Sequence, residues 1–137
     1  MNTSLFQSYE TIEGTCYVEF QMGEAKREFW DGASKYIDGE IFTLISFIFD
    51  SSNSHFSKFG RNRLTLIEMK RLKSELKKVN SAKLEQSIDL ADTKLWTQME
   101  AKTGKPPYSA IKELLEELII WLDTALVKQQ EIVILGI

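Results

Sequence analysis

SAIKELLEELIIWLDTALV, residues Ser109–Val127, is the stretch whose reading decides the fold. At about 100° per residue, Ile111, Leu114, Leu115, Leu118, Leu122, Ala125 and Leu126 fall on one side of a helix, flanked by Ile119 and Trp121. Lys112, Glu113, Glu116, Glu117, Asp123 and Thr124 fall opposite. This segregation predicts an amphipathic helix whose apolar side forms the floor of a core. Pro106 and Pro107 precede it, Ser109 is the expected N-cap, and the early glutamates suit the positive end of the helix dipole. Ile120 interrupts the polar side, as expected if that face meets another subunit or an overlying loop.

Toward the C-terminus, Glu131 to Leu135 reads as a strand that is apolar on both faces, which suits a sheet interior or a covered edge. Its expected partner lies near the N-terminus. Thr15 to Met22 alternates, with Cys16, Val18, Phe20 and Met22 against Tyr17, Glu19 and Gln21, and Gly14 and Gly23 bracket it. Leu5 to Ile12 is the expected second strand of a hairpin turning at Glu13-Gly14. Glu24 to Trp30 fits either a short strand or a helical turn.

Between these ends the pattern is mostly helical. Ser34 to Asp50 is expected as a largely buried helix capped by Ser34, although Ile41 to Phe49 also fits a central strand. Residues 51–54 form a loop, and residues 55–63 read as irregular, anchored by Phe56 and Phe59. Thr65-Leu66-Ile67-Glu68 is a capping box that opens a helix buried through Leu66, Met69, Leu72, Leu76 and Val79. Residues 82–91 fit a short helix or a loop. Asp92 to Lys102 is a helix capped by Asp92, with Leu95, Trp96 and Met99 inward. The expected architecture is therefore one α+β domain over residues 1–137: a small antiparallel sheet, made from the N-terminal hairpin and the C-terminal strand, packed with about four helices.

Composition supports a globular chain, with 43% apolar and 27% charged residues. Residues 1–10 contain no base and no long apolar run, unlike a secretory signal, and Ile41 to Phe49 is too short to span a bilayer. No membrane association and a cytoplasmic location are the expectations. The net charge of −3 is unevenly spread. Residues 1–50 hold nine acids and three bases, residues 51–83 two acids and nine bases, and residues 84–137 nine acids and five bases. Such asymmetry predicts surfaces segregated by sign that attract charged partners, unless folding interleaves the blocks.

No catalytic, cofactor-binding or metal-ligating set emerges. His55 is the only histidine and Cys16 the only cysteine, which removes multi-histidine and cysteine-rich metal sites. Cys16 is expected on the inward strand face, where thiols are inert packing, and His55 in a solvated loop. Phosphate-loop, dinucleotide-binding and nucleophile-elbow patterns are all missing. Two charged features remain. Lys70, Lys73 and Lys77, joined by Arg71 and Lys78, cover roughly 160° of the helix from Thr65 on helical spacing. That stripe suits phosphates but carries no aromatic residue for base stacking, so a nucleic-acid regulator using residues 65–79 is the alternative reading. The leading candidate is the acidic first third, where Glu24, Glu28, Asp31, Asp38 and Glu40 surround Trp30. Carboxylates steer a basic protein partner toward such a surface, and a desolvated ring anchors it. The competing view is that Phe29 and Trp30 are core residues and the acids merely solvate their elements.

The acidic single domain, the strand Gly14-Thr15-Cys16-Tyr17-Val18-Glu19-Phe20 and the carboxylates flanking Phe29-Trp30-Asp31 give the chain its family character. In this it resembles the small immunity proteins of bacterial contact-dependent inhibition and related polymorphic toxin systems. The resemblance is one of general character and transfers no residue roles. It implies a non-enzymatic protein that needs no cofactor and binds a cognate toxin domain, often a basic nuclease, blocking its active site or its access to substrate. The basic helix at 65–79 departs from a purely acidic mimic and moves the expected interface into question. A dedicated secretion chaperone is a further class of small acidic α+β protein that fits the composition.

Overall fold

A computed structural model of the chain describes residues 3–12, 16–23, 34–53, 55–57 and 59–136. Among these, five strands form one antiparallel sheet: β1 (Gln7–Ser8), β2 (Tyr17–Met22), β3 (Lys35–Asp38), β4 (Arg61–Leu64) and β5 (Ile132–Leu135). Their order is β1-β3-β2-β5-β4. Five helices accompany them: α1 (Gly39–Ser52), α2 (Leu66–Lys77), α3 (Ser81–Asp89), α4 (Thr93–Thr103) and α5 (Pro107–Val127). The fold is α+β, and no described helix is long and apolar enough to cross a membrane.

The sheet is built around β2 and β5, which pair antiparallel with Phe20 opposite Ile134 and Met22 opposite Ile132. The C-terminal strand thus meets the predicted N-terminal strand. The predicted hairpin is corrected. Residues 5–12 do not run beside β2; Gln7 and Ser8 pair with Tyr36 and Lys35 of β3, and Tyr9–Thr11 then turns as a short 3-10 helix. The neighbour of β2 is β3, with Val18 opposite Ile37. The expected turn at Glu13-Gly14 and the segment Glu24 to Trp30 lie outside the described residues.

Residues that face each other across an antiparallel ladder share one side of the sheet. Val18, Phe20, Ile37, Leu64, Ile132 and Ile134 share the helix side and are all buried. Phe20 is the centre of that layer. Its ring lies edge-on to Phe6, Phe49 and Trp121 and tilted to Phe42. This places α1 and α5 directly on the sheet. The opposite side is buried as well: Tyr17, Glu19, Gln21, Tyr36, Val133 and Leu135 are covered. Glu19 and Gln21 are the polar members of that layer. Gln21 Nε2 donates to Glu19 Oε2 at 3.0 Å, and the Ser34 hydroxyl donates to the same oxygen at 2.7 Å.

Helix starts follow the local chemistry, with two corrections. Residues 41–49 are helical, which settles the choice between helix and strand, but Ser34 is not the cap. Residues 35–38 are β3, and Asp38 caps α1 by accepting from the backbone N–H groups of Glu40 (2.9 Å) and Ile41 (3.3 Å). Nor does Ser109 cap α5. That helix begins at Pro107, whose ring pre-sets the helical φ and whose missing N–H makes one orphan donor fewer; no side chain caps this end. Asp92 caps α4 as expected, and Gly104 closes it in the left-handed conformation, at φ 70°. Residues 82–91 are largely the helix α3, capped by Asn80. The reading of residues 55–63 as irregular misses Arg61–Leu64, which is β4. Phe56 does anchor the preceding loop against Phe42 and Phe49, whereas Phe59 is exposed.

Candidate functional site

The capping box of α2 is complete. The Glu68 N–H donates to Thr65 Oγ1 at 3.2 Å and the Thr65 N–H to Glu68 Oε1 at 3.0 Å. Asn53 donates to the other Glu68 oxygen at 2.8 Å, fixing the start of α2 to the end of α1. So anchored, α2 buries Met69, Leu72 and Leu76. Helical spacing then sends Lys70, Lys73 and Lys77 to the seam between α2 and α5.

The three lysines line a groove of ≈ 560 Å³. Across from them, α5 contributes Asp123, Leu126 and Val127, and Ser74 of α2 completes the lining. A second hollow of ≈ 240 Å³ shares Lys77 and continues past Leu76 to Tyr108, Leu115 and Glu116. The early part of α5 thus meets the end of α2 and the late part of α5 meets its middle, so the two helices run antiparallel.

Charge in the groove is unequally committed. Lys73 forms an ion pair with Asp123 and bridges the two walls. Lys70 and Lys77 are exposed and make no ion pair among the described residues. They stand seven residues apart, two helical turns or about 10.5 Å along the axis. Val127 is 84% exposed and Ile120 65%, and their seven-residue spacing puts them on one stripe of α5. Ile120 is thus exposed as the sequence suggests, but Asp123 and Thr124 lie between it and Val127, and the two residues line different hollows. Ile67, in the first turn of α2, is exposed too.

The leading acidic candidates fare differently. Glu24, Glu28, Trp30 and Asp31 lie outside the described residues. Asp38 and Glu40 are described, at the start of α1. One Asp38 oxygen is occupied by its two capping bonds, and Glu40 is exposed in the first turn, where the dipole favours an acid. Asp38 also borders a hollow of ≈ 430 Å³ with Tyr17, Gln98 and Lys102. Lys102 is engaged there, donating to Gln7 Oε1 at 3.1 Å. Asp38 thus serves as the cap of α1, and the Glu40 side chain is exposed beside it.

Cys16 is exposed rather than inward. The strand begins one residue later, and the Cys16 carbonyl accepts from the Gly39 N–H at 2.9 Å, so the residue belongs to the strand's approach. His55 is exposed in its loop, with its backbone N–H bonded to Asn53 Oδ1. Among the described residues, no three His, Cys, Asp or Glu side chains gather as metal ligands.

Asp123, Leu126 and Val127 escaped the sequence reading as site residues. Asp123 falls on the polar side of the α5 wheel and Leu126 on the apolar side, and only the approach of α2 joins them. The one available signal was Val127, a β-branched residue at a helix end beside Lys128. No family model, curated protein or solved structure matches the chain.

Proposed function

We propose that this chain is a non-enzymatic protein-binding module, an immunity-type inhibitor that binds and neutralises a cognate toxin domain in the cytoplasm. The observation that carries the reading is the mixed character of the α2–α5 groove. Exposed Lys70 and Lys77 stand opposite the aliphatic Leu126 and Val127, the mixture of charged rim and apolar wall that protein interfaces use. Phosphate tracking draws less support from the same residues. Asp123 places a carboxylate in the groove wall and neutralises Lys73, the middle lysine of the proposed phosphate-binding row. Folding partly interleaves the charge blocks, through Arg63 with Glu131 and Lys73 with Asp123, so the steering charge on this face is that of Lys70, Lys77 and their exposed neighbours Arg71 and Lys78.

The test is isolation of the tagged protein from its own host at low salt, with bound protein identified by mass spectrometry and nucleic acid read by ultraviolet absorbance. The expected result is one stoichiometric protein that arrests growth when expressed alone and loses that effect when co-expressed with this chain. Nucleic acid without a protein partner overturns the reading, as does a partner whose toxicity persists on co-expression. A constitutive homodimer carrying a secreted, non-toxic protein would favour the secretion-chaperone reading instead.

A further inference from the structure

We infer that the α2–α5 groove receives an acidic amphipathic helix of the partner, one presenting two carboxylates two turns apart with an aliphatic side chain between them. The inference rests on the protein-binding reading above and specifies the chemistry of the segment bound. Its basis is charge and shape complementarity. The groove offers two exposed ammonium groups, Lys70 and Lys77, that make no ion pair among the described residues and stand at two-turn spacing along α2. Between them Lys73 is taken by Asp123, so the centre of the groove is electrically neutral while its two ends are positive. The facing wall is aliphatic, through Leu126 and the highly exposed Val127.

A helix laid along this groove meets each feature in turn. Its carboxylates at positions i and i+7 reach Lys70 and Lys77, and its aliphatic residue at i+3 or i+4 lies over the neutral Lys73–Asp123 pair and leans toward Leu126 and Val127 at the Lys70 end. A helix with the opposite charges is repelled at both ends. Nucleic acid fits less well, because Asp123 faces the backbone midway and the aliphatic wall has nothing to stack against a base. Arg71 and Lys78, exposed on the adjoining face of α2, extend the positive field that draws such a helix in.

The experiment measures fluorescence anisotropy of a labelled helical peptide with the full chain at low salt. The probe carries glutamates seven residues apart flanking a leucine; a control peptide carries lysines in their place, and a short DNA duplex is a third probe. Variants are Lys70→Glu with Lys77→Glu, Val127→Ser, and the remote surface change Lys94→Glu, each checked for native circular dichroism. The glutamate peptide is expected to bind saturably. The double charge reversal should weaken it about tenfold or more, because like charges are then juxtaposed at both ends. Val127→Ser should weaken it several-fold, and Lys94→Glu should leave it unchanged.

The inference is overturned if the glutamate peptide does not bind saturably, if the lysine peptide binds as well, if the duplex binds more tightly at the same salt, or if the double reversal has no effect. It is also overturned if the chain forms a dimer that the Val127→Ser and double-reversal variants dissolve, since a second copy then fills the groove. The two readings fail separately. A cognate toxin still neutralised by the double-reversal variant removes this groove and leaves the inhibitor reading standing. Peptide binding without any toxin partner does the reverse.

Discussion

Replacing Phe20 with alanine removes the ring around which the helix side of the sheet is packed. Phe20 is 1% exposed, and four rings surround it among the described residues. Phe6 lies 5.5 Å away between ring centroids, Trp121 5.9 Å, Phe49 6.1 Å and Phe42 6.2 Å. Truncation of a buried phenylalanine costs about 3–5 kcal/mol, through lost transfer energy and the cavity left behind. Edge-on ring pairs each contribute about 0.5–1.5 kcal/mol beyond area burial, which places Phe20→Ala in the upper part of that range. At roughly 4 °C per kcal/mol for a chain of this length, Tm should fall by roughly 16–20 °C. Urea unfolding followed by far-ultraviolet circular dichroism gives the free energy, and the near-ultraviolet signal should lose aromatic intensity in the folded baseline. Leu90, 80% exposed, is the control, and Leu90→Ala should change stability by less than about 0.5 kcal/mol. A Phe20→Ala loss below about 1 kcal/mol would refute the placement of Phe20 between α1, α5 and the sheet.

Two further expectations concern the elements that carry the site. Asp38→Ala deprives the Glu40 and Ile41 N–H groups of their acceptor and should cost about 1 kcal/mol in urea unfolding, with Asp38→Ser restoring most of it. A double-mutant cycle on Lys73→Ala and Asp123→Ala should give a coupling below about 1 kcal/mol that shrinks in high salt. Those side chains are 24% and 48% exposed, so solvent screens the pair; a salt-independent coupling of several kcal/mol would contradict this geometry.

The long helices were legible because their periodicity is local. Thr65 to Glu68 spells out its own cap, and the stripe on α5 is unbroken over five turns. The strands missed were those whose existence depends on distant partners. Arg61–Leu64 reads as surface chain because Arg61 and Arg63 point outward; it becomes β4 through pairing with Leu135 and Val133. Asn62 sits inward, donating to the Ile134 carbonyl at 3.2 Å, a polar residue at a strand position where alternation predicts an apolar one. Tyr36 and Ile37 were absorbed into the following helix because their apolar character runs on into Ile41 and Phe42. Asp38-Gly39 marks the true boundary. For the groove, the lysine row followed from helical spacing, whereas its opposite wall comes from residues some fifty positions away, at Asp123 through Val127.

The carboxylate on the far side of the sheet also guards alignment. A slide of β2 by one residue against β3 or β5 would rotate Glu19 and Gln21 to the other side, among Phe42, Phe49 and Trp121. There Glu19 would lose the hydroxyl of Ser34, and a charge would have to be neutralised in an aromatic surround. The neighbouring strand β5 is apolar on both faces and imposes no such penalty of its own. A single glutamate at position 19 therefore distinguishes the correct register from its nearest competitor in a sheet whose other central strand reads alike in either frame.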